Sequence, residues 1–86
     1  MSMVAIIPVA NILTANATLN TAGFGPNNFS VPCYTGAATT HGALHSWDDA
    51  AFEAAVQAIP NVVVEIGDGD PVARTKALIE AQGAKF

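Results

Sequence analysis

Ser46-Trp47-Asp48-Asp49-Ala50-Ala51-Phe52-Glu53-Ala54-Ala55-Val56-Gln57-Ala58-Ile59-Pro60-Asn61-Val62-Val63-Val64-Glu65-Ile66 reads as a capped helix, a proline stop and a buried strand. Ser46 is a good N-cap, with Asp49 at N3 completing a short-armed capping box. Phe52, Ala55, Val56 and Ile59 follow at i, i+3, i+4 and i+7, one apolar stripe of a helix. Asp48, Asp49 and Glu53 lie near its positive end. Residues 62–66 are β-branched and mostly apolar, the composition of a strand. Gly67-Asp68-Gly69 then turns the chain. Asp70 caps a second helix with Pro71 at N1, the favoured place for proline. Val72, Thr75, Leu78 and Ile79 give its buried side, and Gly83 is a natural C′ residue.

Upstream, residues 3–7 read as a buried strand, with Pro8 at its end or at an edge because it cannot donate to a ladder. Residues 13–20 alternate: Leu13, Ala15, Ala17 and Leu19 against Thr14, Asn16, Thr18 and Asn20. Period two predicts a half-buried strand. Residues 21–45 carry turn chemistry at Gly23, Gly25-Pro26-Asn27-Asn28, Pro32, Gly36 and Gly42, with a brief extended piece at 29–34. The expected fold class is α+β: N-terminal β-strands and a long loop, then helix–strand–helix. An uncharged strand-and-loop arm, 1–45, and a helix–strand–helix unit, 46–86, together form one small domain.

Charge divides the chain at the same place. Residues 1–47 contain no Asp, Glu, Lys or Arg; all seven acids and all three bases follow. A water-facing surface is ordinarily about a quarter or more charged, so a charge-free half suits contact with other protein. An 86-residue chain is short for burying its own core, and small scaffolds take staples such as disulfides, metals or partner chains. Cys33 is the only cysteine, which excludes an intrachain disulfide and leans toward the cytosol. With 51% apolar residues, composition favours oligomerisation. A net charge of −4 with three basic residues argues against nucleic acid, for want of a phosphate-binding stripe. No basic amphipathic helix suits a membrane surface. The apolar start lacks a basic n-region and is broken by Pro8, unlike a signal peptide, and it is too short to span a bilayer. Asn16-Ala17-Thr18 and Asn28-Phe29-Ser30 match a glycosylation sequon, as chance allows in an Asn- and Thr-rich segment.

Chemistry-bearing residues are few. Cys33, His41 and His45 are the side-chain types of a zinc site, and His41 and His45 would share a face on a helix. Gly42 and the Ser46 cap put them in a loop, where no metal is expected. Glu65, Asp68 and Asp70 flank a glycine turn but lack the 1, 3, 5 and 12 ligand spacing of a calcium loop. Cys33, a histidine and Asp48 or Asp49 would supply a nucleophile, base and acid, but nothing in their spacing supports a triad. No catalytic residue, metal or cofactor is assigned. The interface candidates are Leu13 and Leu19 together with the loop and terminal aromatics Phe24, Phe29, Tyr34 and Phe86. Trp47, beside the helix cap, reads as a core patch.

The ending Asp68-Gly69-Asp70-Pro71-Val72-Ala73-Arg74-Thr75-Lys76-Ala77-Leu78-Ile79-Glu80-Ala81-Gln82-Gly83-Ala84 resembles the C-termini of small tailed-bacteriophage structural proteins. The Thr/Asn/Ala/Gly-rich front half is similar to virion decoration and tail components. The resemblance is one of style over most of the chain and transfers no functional residue. It implies a non-enzymatic virion protein of capsid or tail, assembled in the host cytoplasm, with its own copies or other virion proteins as partners. A small binding module or inhibitor using the 21–45 loop is the alternative, and a metal-dependent enzyme built on Cys33, His41 and His45 is the third reading.

Overall fold

The computed structural model describes residues 1–26, 28–32 and 40–84. The chain is a small α+β domain. Strand β1 (Ser2–Pro8) leads through a 3-10 turn (Val9–Asn11) into helix α1 (Ile12–Thr21). Strand β2 (His41–Trp47), helix α2 (Ala50–Gln57), strand β3 (Val63–Gly67) and helix α3 (Pro71–Ala81) follow. The sheet order is β2-β1-β3, with β1 antiparallel to both neighbours. Strands β2 and β3 are therefore parallel to each other, and β2–α2–β3 is a crossover unit with β1 inserted at its centre.

The central place of β1 explains its composition. Residues 2–7 are all buried, as a strand covered on both faces requires. Met3, Ala5 and Ile7 join Leu44, Ala15, Leu19, Phe29, Phe52, Val56 and Ile59 in one hydrophobic cluster beneath α1 and α2. Val4 and Ile6 alternate to the opposite face, which α3 covers with buried Thr75 and Ile79. The molecule is thus three layers: two helices, a sheet, and one helix.

The second half follows the sequence closely. Asp70 caps α3 by accepting from the Ala73 N–H at 3.2 Å, Pro71 opens the helix, and Gly83 takes φ +81° just past its end. The cap of α2 differs from expectation. It is Asp49, whose Oδ1 accepts from the Phe52 N–H at 3.0 Å, while Ser46 lies within β2. Strand β2 runs across residue 45, and the sheet is built from both halves of the chain.

Residues 13–20 are helical, not a strand, so a single strand precedes the loop. The reason is packing. Ile12, Ala15, Asn16 and Leu19 fall at i, i+3, i+4 and i+7, and this is the covered side of α1. The Leu/Ala alternation coexists with that helical stripe over so short a segment. Residues 41–47 form a strand where turn chemistry through residue 45 predicted a loop and Ser46 a helix cap. Gly42 sits inside it because α1 passes close by: a Cβ there would lie 2.5 Å from Ile12 Cδ1.

Candidate functional site

The outward side of α1 is the most distinctive surface of the molecule. Leu13, Thr14, Ala17, Thr18, Asn20 and Thr21 are exposed, and none is charged. Leu13 is the extreme case, at 84% exposure. Thr18 Oγ1 donates to the Thr14 carbonyl at 2.9 Å, so this hydroxyl is satisfied within the helix. Thr and Asn are poor helix formers, offset here by Leu13, Ala15, Ala17 and Leu19, and the buried side adds the packing that holds the helix.

Two asparagines of α1 have internal work. The Asn16 side chain accepts from the Phe29 N–H at 2.8 Å and donates to the Phe29 carbonyl at 3.0 Å, as a strand partner would. Asn28 Nδ2 donates to Asn20 Oδ1 at 2.8 Å. Together they tie Asn28 and Phe29 to the helix. The amide nitrogens that the two sequons would offer to a glycan both donate hydrogen bonds within the chain, that of Asn28 at the surface. Asn16→Ala, which leaves both Phe29 backbone groups without this partner, is expected to cost about 1–3 kcal/mol in urea unfolding. An unchanged midpoint would remove the tie from any account of stability.

Burial corrects the interface candidates. Leu19 and Phe29 are core residues with no surface to present. Phe24 is partly buried and packs edge-on against Phe52, with ring centroids 5.3 Å apart. Leu13 remains at the surface. Tyr34 and Phe86 lie outside the described residues, as does Cys33. Trp47, expected to pack into the core, is 63% exposed, with its ring edge-on to His45 at 4.7 Å. The physical reason is its place as the last residue of an edge strand. Val9 and Val31 are further exposed apolar residues of the uncharged segment.

The chemistry-bearing residues are dispersed. His41 and His45 lie on a strand, where four residues span about 13 Å, so the helical i, i+4 pairing does not arise. His41 Nδ1 is 2.7 Å from Thr40 Oγ1. Among the described residues, no group of three or more His, Cys, Asp or Glu side chains could hold a metal ion. Glu65 pairs with Arg74, Asp70 caps α3, and Asp68 faces the Met1 amino group at 3.3 Å. One open groove gathers His45, Ser46 and Asp49 beside Phe24, Trp47 and Phe52. His45 and Ser46 are consecutive on β2 and point to opposite faces of the sheet. The buried His45 Nε2 has no hydrogen-bond partner among the described residues, and Asp49 is engaged as a cap. Among the described residues, the arrangement lacks the nucleophile–base bond of a triad. No family model, curated protein or solved structure matches this chain.

Proposed function

We propose that this chain is a non-enzymatic structural protein used in many copies, as a component of a bacteriophage virion on capsid or tail. Its uncharged N-terminal residues make the contacts to neighbouring protein, either copies of itself or other virion proteins. The observation that carries the reading is the outward side of α1: a helix surface of Leu, Thr, Ala and Asn with no charged residue. An exposed helix ordinarily carries charged residues opposite its apolar stripe. Burying such ions costs several kcal/mol each, whereas covering Leu13, Ala17 and the already satisfied Thr18 costs little. The charges lie beyond residue 47, where they keep the remaining surface wet. The phage assignment itself rests on the resemblance of the sequence to virion proteins.

Leu13→Lys is the direct test. The side chain is exposed, so folding stability is expected to stay within about 0.5 kcal/mol. Association into assemblies larger than a dimer is expected to weaken at least about tenfold in sedimentation, since a lysine would be buried at the contact. A wild-type chain that forms nothing beyond a dimer at micromolar concentration, with unaltered behaviour in the variant, overturns the reading.

A further inference from the structure

The two edges of the sheet are unlike each other, and backbone direction shows how. Ala43 and Ser30 exchange both hydrogen bonds, at 2.8 and 3.1 Å, on the side of β2 away from β1. Polar groups alternate along a strand, so Gly42, Leu44 and Ser46 face β1. Their partners Ile7, Ala5 and Met3 therefore face β2, which turns Ser2, Val4 and Ile6 toward β3. Those three pair with Gly67, Glu65 and Val63. Val64 and Ile66 are left with N–H and C=O pointing outward, and among the described residues neither has a partner there. The β2 edge is partly covered by Ser30; among the described residues the β3 edge is open.

Open edges of monomers are ordinarily blunted by lysine, proline, bulges or inward charges. β3 has no lysine, proline or bulge, and its inward charge on the α3 face is paired. Its one charge, Glu65, accepts from Arg74 Nε at 2.8 Å, so the strand is electrically neutral. Val64 and Ile66 lie on the α2 side of the sheet, where they line an open groove with Val62 and Gln57. Ile66 is 49% exposed.

We propose that β3 pairs with β3 of a second copy, antiparallel across a two-fold axis, joining two three-stranded sheets into one. A two-fold contact needs a patch complementary to itself, and this edge is one. Each copy offers outward donors and acceptors from the same residues, and each brings a neutral strand despite the chain's net charge of −4. An acidic or basic partner would find no unpaired charge on the strand. A register centred on Val64 sets Ile66 against Val62 of the other copy, whose carbonyl can accept while its N–H stays with the Ile59 carbonyl at 3.4 Å, and Glu65 against Val63. It thereby avoids placing the two Glu65 side chains opposite one another, which would be destabilising. A five-residue edge falls short of the roughly 800 Å² per partner of a standard interface. The groove beside it, where Gln57 of α2 meets Val62, Val64 and Ile66, extends the contact. This surface lies in the charged half of the chain and does not depend on the role given to α1.

Sedimentation equilibrium of the full chain from about 1 to about 100 µM tests the pairing, because dimerisation follows mass action. The wild type is expected to reach the dimer mass. Ile66→Lys places a charge at the edge, and Val64→Pro deletes an outward donor that the β1 ladder does not use. Each is expected to weaken dimerisation at least about tenfold, with a native circular dichroism spectrum. Hydrogen exchange of the wild type gives a reading that needs no variant: protection of the Val64 and Ile66 amides is expected to rise with protein concentration. A dimer that persists in both folded variants overturns the proposal. So does a wild type that stays monomeric at about 100 µM with these amides unprotected, which is also the result if the edge receives a strand from a different protein.

Discussion

Leu19→Ala is expected to destabilise the chain by about 2–5 kcal/mol, the range for emptying a fully buried leucine site. Leu19 has no exposed surface and sits among Met3, Ala15, Phe29 and Phe52 in the cluster between the sheet and its two covering helices. Removing its isopropyl group forfeits burial and leaves a cavity that β1, held by a ladder on each side, cannot close. Urea unfolding read by circular dichroism measures the loss, with the slope expected to be unchanged. The result also separates the helix from the strand that alternation predicts. On a half-buried strand with a partner-facing surface, Leu19 would be replaceable in the isolated chain at a cost within about 0.5 kcal/mol. A shift that small would return it to the surface and overturn the core described above.

Arg74→Ala is the second large effect, at about 2–3 kcal/mol, from loss of charge-assisted hydrogen bonds at a mostly buried site. Arg74 projects from α3 to the ends of β1 and β3. Its Nη1 donates to Ser2 Oγ at 2.8 Å and to the Gly67 carbonyl at 3.2 Å. Its Nη2 donates to the Ser2 carbonyl at 3.2 Å, and its Nε to Glu65 Oε1 at 2.8 Å. The guanidinium thereby fastens the last helix to the first residues of the chain. The Glu65 end is partly exposed and contributes little by itself. Glu65→Gln is accordingly expected to cost under about 1 kcal/mol. The larger share belongs to the buried Ser2 hydroxyl and the strand-end carbonyls. Arg74→Lys is expected to recover only part of the loss, because a compact ammonium cannot span the fork. Equal stability of Arg74→Ala and wild type would show that α3 is held by apolar packing alone.

The sequence specifies the second half because its signals there are local and agree with one another. The Asp70-Pro71 start, the Phe52/Val56/Ile59 stripe and the β-branched run ahead of Gly67 each fix a conformation within one or two turns of chain. Asp49 shows the limit of such reading. Ser46 and Asp49 are both competent caps, and β2 extending to Trp47 leaves the cap to Asp49. The exposed surface was partly legible. Absence of charge marks the first 47 residues, but not which of them turn outward: Leu13 does, while Leu19 and Phe29 do not. Asn16 shows why. In the sequence it is one of a row of polar residues suited to a partner; in the fold its amide is a partner already, for Phe29.

The open β3 edge has no signature in the sequence, since a strand becomes an edge only once the others have taken their places. The run at residues 62–66 shows that a strand exists. The order β2-β1-β3, which puts the first strand in the middle and leaves Val64 and Ile66 facing outward, depends on contacts between residues as far apart as Ser2 and Gly67. By itself, the sequence determined the α+β class, the buried character of residues 3–7, the helix–strand–helix of the second half, the cap at Asp70 and the charge boundary at residue 47. Tertiary structure alone decided that residues 13–20 are a helix, that 41–47 are a strand, and which uncharged residues reach the surface. The physical reason is that a period of two and a period of 3.6 fit the same eight residues, whose opposed propensities, Leu and Ala against Thr and Asn, leave the choice to burial. Burial, in turn, is set by β1 and by the Phe29 segment that folds back onto the helix.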